Sequence, residues 1–243
     1  MGDEVAKAGE EGLVGPPERR LSAGPRLLGV RYRRAAGVSL PCNATGFLMK
    51  SLRVRRRDTF LDMGSGTGVV GIYAARRGAD VTAVDISLRA VSETAANAAR
   101  NRVRIRVVRG DLFERVPGRF VRIAFNAPYV RLTRSGAEDK RTRDRTRASR
   151  LGTVTRFLRE LPAHLDEGGM GYLVLSSASP VPLFEGIARE AGLEWEIKKT
   201  SRSPRERTQL VGLRLANRRR PLRTNSAPSS SRNGSSNRGD AFP

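Results

Sequence analysis

Alternating glycines are the first feature of this sequence that could do chemistry. Gly64, Gly66 and Gly68 lie between a short apolar run and a helix-like stretch. Glycine lets bare backbone approach a ligand closely, and a helix N-terminus presents free N–H groups. The pattern therefore predicts a loop that binds a nucleotide-like ligand. A tight turn without a ligand is the alternative, since turns also use glycine for conformation alone.

Three carboxylates accompany this loop. Asp62 directly precedes the glycines, Asp85 ends the next predicted strand, and Asp111 follows the one after that. We expect the three to converge, because the carboxyl ends of parallel strands meet at one edge of a sheet. Asp85 is placed to accept from two ribose hydroxyls, and Asp111 from an adenine amino group. Taken singly, each is often a helix cap or turn residue. Val69 stands where an NAD-binding loop has its third glycine, which argues against NAD.

A second turn, Asn126-Ala127-Pro128-Tyr129, follows the apolar run 121–125 and should open at the same edge. A planar NH2 nitrogen is a poor nucleophile because its lone pair is delocalised. It becomes reactive when two acceptors hold both N–H bonds. The Asn126 side-chain oxygen and the Ala127 carbonyl are candidate acceptors, and Tyr129 is a candidate stacking partner. An ordinary turn is the alternative interpretation.

The pattern around these turns alternates short apolar runs with helix-like stretches, which is typical of a parallel sheet covered on both faces. We predict strands at 59–63, 80–84, 105–108, 121–125 and 171–176, and a closing pair at 195–199 and 209–215. We predict helices at 69–77, 88–100 and 181–191, and a further helix that ends over 157–165.

A chain of 243 residues with 38% hydrophobic content can bury one sizeable core and leave residues over for tails, so we expect one domain. We expect a flexible arm at 1–26, the catalytic domain at 27–217 and a disordered basic tail at 218–243. No apolar run is long enough to span a bilayer and no signal peptide is evident, so we expect a cytoplasmic protein without membrane association. The single cysteine, Cys42, permits no internal disulfide. The lone histidine, His164, is expected on a helix surface, and no metal site is evident.

The charge of +22 favours polyanionic partners such as RNA. Only five of the 46 basic residues are lysines, so a general preference for arginine accounts for part of this charge. Eight basic residues follow the second turn within 131–150 and could touch a phosphate backbone or an acidic protein, although a solvated helix face is the commoner use of such a run. They are residues 131, 134, 140, 141, 143, 145, 147 and 150.

The sequence resembles the class I, Rossmann-like methyltransferases, whose cofactor loop is similar to residues 61–68. Residues 125–130 are similar to the Asn-Pro-Pro-Tyr motif of the HemK-like glutamine methyltransferases, which modify the Gly-Gly-Gln tip of peptide-chain release factors. Residues 41–48 look like that family's Pro-x-x-x-Thr segment. The resemblance implies S-adenosyl-L-methionine as cofactor and a catalytic turn at Asn126, Ala127, Pro128 and Tyr129. It implies cofactor contacts at Thr45, Asp62, Gly64, Gly66, Gly68, Asp85, Asp111 and Asn126.

The chain departs from the family at three places. Ala127 replaces the first proline of the motif, Asn43-Ala44 replaces an acidic pair before Thr45, and the basic segment 131–150 replaces a glycine-rich stretch. The compact length looks most like the archaeal and eukaryotic branch, which makes a release factor the expected substrate. Methylation of an adenine or guanine amino group in RNA or DNA is the alternative, and a non-catalytic cofactor-binding scaffold that recruits RNA is a third. The sequence leaves the oligomeric state undetermined.

Overall fold

A computed structural model describes residues 25–127, 140–176, 179–202 and 207–216, with the backbone alone for 140–148 and 202. The described strands are β1 (Arg26–Leu27), β2 (Val30–Arg31), β3 (Thr59–Met63), β4 (Asp80–Asp85), β5 (Arg106–Arg109), β6 (Phe120–Asn126), β7 (Leu165–Ser176), β8 (Leu193–Arg202) and β9 (Arg207–Leu215). The helices are α1 (Asn43–Ser51), α2 (Val69–Ala75), α3 (Leu88–Arg100), α4 (Lys140–His164) and α5 (Val181–Glu190).

Seven strands form one sheet in the order β5-β4-β3-β6-β7-β9-β8. The first five are parallel to one another, and β9 runs antiparallel to both β7 and β8. This confirms the predicted α/β class with a mostly parallel sheet and an antiparallel closing pair. In such a sheet the strand order reverses next to β3, and the carboxyl ends of β3, β4, β5 and β6 share one edge.

Hydrophobic cores cover both faces of the sheet. Along β3, Phe60 belongs to the core under α1, α2 and α3, while its neighbour Leu61 belongs to the core under α4 and α5. Successive strand residues point to opposite faces, so burial on both faces requires nearly continuous apolar strands. Met63 is buried like these two residues, which leaves Asp62 as the polar exception in the strand interior.

Two elements escaped the sequence patterns. The two-stranded hairpin of β1 and β2 is too short to show periodicity, and its first residue, Arg26, falls in the predicted arm. Helix α1 begins directly after Cys42 and was not assigned. Elsewhere the elements have the predicted types, with shifted ends: β7 begins at Leu165, which we had placed in the preceding helix. In the part of the chain that the structure describes, no helix is long and apolar enough to cross a membrane.

Candidate active site

A cavity of about 490 Å³ opens at the carboxyl edge of the sheet, beside the point where the strand order reverses. The ends of β3, β4, β5 and β6 supply most of its wall, and a segment before α1 and one turn of α4 supply the rest. Among the predicted site residues, those that line it are Thr45, Asp62, Gly64, Gly66, Asp85, Asp111 and Asn126. The structure thus brings together residues that are spread over about 80 positions of the chain.

The glycine loop leaves β3 in left-handed backbone conformations. The φ angles of Gly64, Gly66 and Gly68 are 65°, 56° and 75°, a region that other residues rarely adopt. A Cβ on Gly66 would meet no atom within 4 Å, whereas one on Gly68 would lie 2.7 Å from Cγ2 of Thr94. Gly66 therefore keeps backbone open to a ligand. Gly68 does not line the cavity, and its small size instead lets α2 begin against α3.

Buried polar side chains of α3 hold this loop from below. The Thr94 hydroxyl donates to the Gly66 carbonyl at 3.1 Å and lies 3.0 Å from the Ser65 hydroxyl. The Asn97 amide donates to the Thr67 carbonyl at 3.0 Å. Both α3 side chains are fully buried, so these bonds satisfy groups that would otherwise lack partners. Sequence reasoning missed them, because Thr and Asn within a helix carry no recognisable signal.

The same helix fixes the chain that leads to the cavity rim. Asn97 exchanges two hydrogen bonds with the backbone of Arg33, and Asn101 exchanges two with Arg31, in the manner of a neighbouring strand. Residues 37–41 then pass along the cavity before α1 begins. The amides of Asn97 in α3 and of Asn101 directly after it thus hold the N-terminal hairpin and the chain that follows it, which leads to the site wall.

Asp85 ends β4 with a carboxylate that is already oriented. Its Oδ2 accepts from the Gly66 N–H and its Oδ1 from the Ser87 N–H, both at 2.9 Å. A carboxylate has about four acceptor positions, so each oxygen can still accept from a further donor. The predicted contact with the paired hydroxyls of a ribose is compatible with this geometry.

Asp62 is buried beneath the loop, and its Oδ2 accepts from the Gly71 N–H at 2.8 Å. Burial raises the pKa of Asp62 from its ordinary 3.8 to about 8; the Gly71 N–H opposes this shift and the negative charge of Asp85 adds to it. A neutral carboxyl group is therefore favoured near neutral pH, and it stabilises the start of α2 through its bond to Gly71.

Asp111 has a partner that the sequence did not predict. Arg156 of α4 donates to its Oδ2 at 2.8 Å and also pairs with Glu160 one turn further along. The Asp111 and Arg156 side chains are 38% and 50% exposed, so the pair is partly solvated. Arg156 thus fixes one carboxylate oxygen at the cavity wall and links α4 to the predicted adenine contact.

Asn126 ends β6 next to Thr45 of α1, and its Nδ2 donates to the Thr45 hydroxyl oxygen at 3.1 Å. The Cys42 N–H donates to the same oxygen at 3.2 Å. These two donors occupy both lone pairs of the hydroxyl, so Thr45 can offer its O–H proton to an acceptor. The bond also orients the Asn126 amide nitrogen toward Thr45 of α1.

The remainder of the predicted catalytic turn is described in part. Ala127 is buried in the core under α4 and α5, and it does not line the cavity. Pro128 and Tyr129 lie outside the described residues, as do the side chains of 131–148. His164, expected on a helix surface, is partly exposed and stacks on Phe113. In the described part of the chain, no cluster of side chains could hold a metal ion.

The cavity residues fit S-adenosylmethionine. Asp85 and Asp111, the acceptors predicted for the ribose and the adenine amino group, both line the cavity, and the apolar Ile86 and Leu112 line it beside them. The open space over Gly66 admits the ligand to the backbone, and the volume lies within the usual range for small-molecule sites. When bound, this cofactor supplies an electrophilic methyl group on a sulfonium.

The family model described as the methyltransferase small domain matches residues 42–192, which is more than half of the chain. The chain therefore belongs to this family. Together, the fold, the cavity and the family define a class I, S-adenosylmethionine-dependent methyltransferase.

The relatives to which this chain is similar are named for different methyl acceptors. A Methanocaldococcus jannaschii protein with the provisional name protein N5-glutamine methyltransferase is 29% identical over 75% of this chain and 94% of its own length. The ribosomal RNA small subunit methyltransferase C of Alcanivorax borkumensis is 34% identical over 49% of this chain and 33% of its own. The release factor glutamine methyltransferase of Bordetella pertussis is 32% identical over 49% and 47%. The chain thus spans nearly all of the archaeal relative and half or less of these bacterial ones.

Solved structures share the fold. A methyltransferase from Pyrococcus furiosus has a TM-score of 0.62 at 16% identity and covers 77% of this chain and 90% of its own. A Thermus thermophilus 16S rRNA N2 G1207 methyltransferase, solved with S-adenosylmethionine and guanosine, has a TM-score of 0.56 at 21% identity over 78% and 49%.

Proposed function

We propose that this methyltransferase transfers its methyl group to a planar NH2 nitrogen, and that the nitrogen is the side-chain amide of a glutamine in a peptide-chain release factor. The position of Asn126 carries the proposal: it ends β6 at the wall of the cofactor cavity, with its amide oriented by Thr45. Because β6 lies on the side of β3 away from β4 and β5, Asn126 is separated from Asp85 and Asp111 along the sheet edge, and we assign the methyl-bearing end of the cofactor to the Asn126 side.

The proposed chemistry depends on positioning rather than on a strong base. Oδ1 of Asn126 and the backbone carbonyl of Ala127 accept the two N–H bonds of the substrate amide, which favours a pyramidal nitrogen. Tyr129 stacks on the planar group. The nitrogen lone pair would then point along the line of methyl transfer. The new nitrogen–carbon bond would form as the sulfur–carbon bond of the sulfonium breaks and leaves a neutral thioether, and the methylated nitrogen would lose one proton to solvent. Proline at position 127 would stiffen the turn and keep the same carbonyl.

Coverage favours glutamine as the acceptor. The archaeal relative named for glutamine methylation matches across nearly its whole length, whereas the ribosomal RNA relative matches across a third of its own. The remaining two thirds of that protein have no counterpart in the match. A release-factor substrate also places the reaction in the cytoplasm.

The alternative acceptor is the amino group of a base in RNA. The charge of +22 and the ribosomal RNA relatives favour it. For either acceptor, we assign substrate capture to the basic segment 131–150. We assign catalysis to residues 27–217, with residues 1–26 and 218–243 dispensable for it.

Methyl transfer from labelled cofactor to purified archaeal-type release factor and to ribosomal RNA tests the proposal. We expect label on the release factor, and loss of that label when the glutamine of its Gly-Gly-Gln tip is replaced by asparagine, which cannot reach the same point. Label on RNA alone would establish the alternative acceptor. Cofactor binding without label on either would identify a scaffold rather than an enzyme for these substrates.

A further inference from the structure

Exposed arginines crowd the edge of the sheet opposite the cofactor cavity. The loops before β3, β4 and β5 meet at this amino edge, because these three strands are parallel neighbours. We call their exposed arginines the amino-edge patch: Arg53, Arg55, Arg56, Arg57, Arg76, Arg77, Arg102 and Arg104.

Contacts between the loops hold much of the patch together. The Arg57 N–H donates to the Gly78 carbonyl at 2.7 Å, and the Asp80 N–H donates to the Asp58 carbonyl at 2.9 Å. Arg122, at the start of β6, donates to the Arg53 carbonyl at 3.0 Å. The backbones before β3 and β4 are therefore fixed against each other, and their arginines form one surface rather than separate flexible loops.

The patch has little internal neutralisation. Its segments contain two carboxylates, and one of these, Asp58, already pairs with Arg122. Among the described residues, no carboxylate forms an ion pair with a patch arginine; Arg76 and Arg77 instead donate to backbone carbonyls. The edge becomes acidic at the start of β7, where Asp166 and Glu167 lie, so the patch is bounded. The patch arginines thus differ from the other arginines of this arginine-rich chain in lying together on one edge of the sheet.

We propose that the amino-edge patch binds the phosphate backbone of RNA and anchors the enzyme with its cofactor cavity facing away. Arginine pairs with phosphate through two parallel hydrogen bonds, and the three loops span about 10 Å, enough for several phosphates. None of these loops carries an exposed large hydrophobic residue, which disfavours a protein partner, since protein interfaces need an apolar centre.

The strands themselves separate the patch from the cavity. β3 is five residues long, so roughly 15 Å of buried strand lies between them. A phosphate bound at the patch therefore does not lie in the cavity, and we assign the RNA at the patch to anchoring rather than to methyl transfer. The choice of RNA over DNA rests on the proposed function, because a release factor acts in translation, where the nucleic acids are RNA.

The test compares two triple variants of the full chain. Arg53, Arg55 and Arg56, all replaced by glutamine, remove three patch charges. Arg159, Arg189 and Arg214, replaced likewise, remove three exposed charges elsewhere. Binding of a labelled RNA duplex of about two helical turns is followed by anisotropy between about 50 and 200 mM salt.

We expect the patch variant to lower RNA affinity on the order of 10-fold and to reduce the salt slope by about two to three, at about 0.9 per lost phosphate contact. The control variant should keep the wild-type slope within about one. Cofactor binding and methyl transfer to a release-factor peptide should be unchanged in both, so failure of the proposed function would show separately, in the wild-type protein.

Equal losses in the two variants would overturn the proposal in favour of total charge. An unchanged slope in the patch variant would overturn it as well. If the patch variant kept RNA binding but lost binding to a DNA duplex or to polyglutamate, the patch would be assigned to DNA or to an acidic protein instead.

Discussion

Replacing Asp85 with alanine should weaken cofactor binding strongly. The carboxylate is held by the Gly66 and Ser87 N–H groups at 2.9 Å each, so it meets a ligand without reorganising. A hydrogen bond to a charged group contributes about 1.5–3 kcal/mol. Two ribose hydroxyls therefore account for roughly 3–6 kcal/mol, which is a loss of affinity on the order of 100-fold to 10,000-fold.

Calorimetric titration with S-adenosylhomocysteine measures this loss. Asp80→Ala is the matched control, because it removes the same side chain from the exposed, opposite end of the same strand. Asp85→Asn keeps one acceptor oxygen and should fall between the two. Affinity in Asp85→Ala within about threefold of the Asp80→Ala value would refute the assigned ribose contact.

Three further substitutions test the support of the site. Because the pKa of Asp62 is higher in the folded than in the unfolded protein, the stability that its proton provides is present below about pH 4 and lost as the pH rises to about 8. Asp62→Asn should remove this pH dependence of the free energy of unfolding, measured in urea. The same pH dependence in the variant and the wild-type protein would contradict the assignment. Arg156→Gln should weaken S-adenosylhomocysteine binding about twofold to fivefold through Asp111, and leave its 6-deaminated analogue unaffected; equal effects on both would argue against an adenine contact. Gly68→Ala should destabilise the fold by about 3 kcal/mol, clearly more than Gly66→Ala, whose Cβ meets open space; similar denaturation midpoints would contradict the packing.

Local signals made the central sheet and the cofactor wall predictable from sequence. Apolar runs define the strands, and a carboxylate at a strand end is certain to reach the edge where its parallel neighbours also end. Asp62, Asp85 and Asp111 could therefore be grouped from their positions relative to β3, β4 and β5. The glycine loop needed no long-range information either, because its backbone angles are a property of glycine itself.

Long-range pairs account for what the sequence did not reveal. The Arg156 bond to Asp111 joins residues 45 positions apart. The bonds of Asn97 and Asn101 to the backbone of the N-terminal segment join residues 64 and 70 positions apart. A single Asn or Arg on a helix looks like a solvated residue until the packing is known. Gly68 is an instructive case: its spacing grouped it with the ligand-binding glycines, whereas its contact with Thr94 gives it a packing role.

The central claim is that Asn126 acts on the acceptor nitrogen rather than on cofactor affinity, and single-turnover methyl transfer by Asn126→Ala tests it most directly. We expect the rate on release factor to fall on the order of 100-fold or more, because the substrate amide loses one of its two acceptors. The cofactor affinity of Asn126→Ala should change by about threefold or less. Asn101→Ala is the matched control, because it removes the same side chain outside the cavity. Turnover by Asn126→Ala at the wild-type rate, with the Asn101→Ala control also at that rate, would contradict the claim and make the turn after β6 structural.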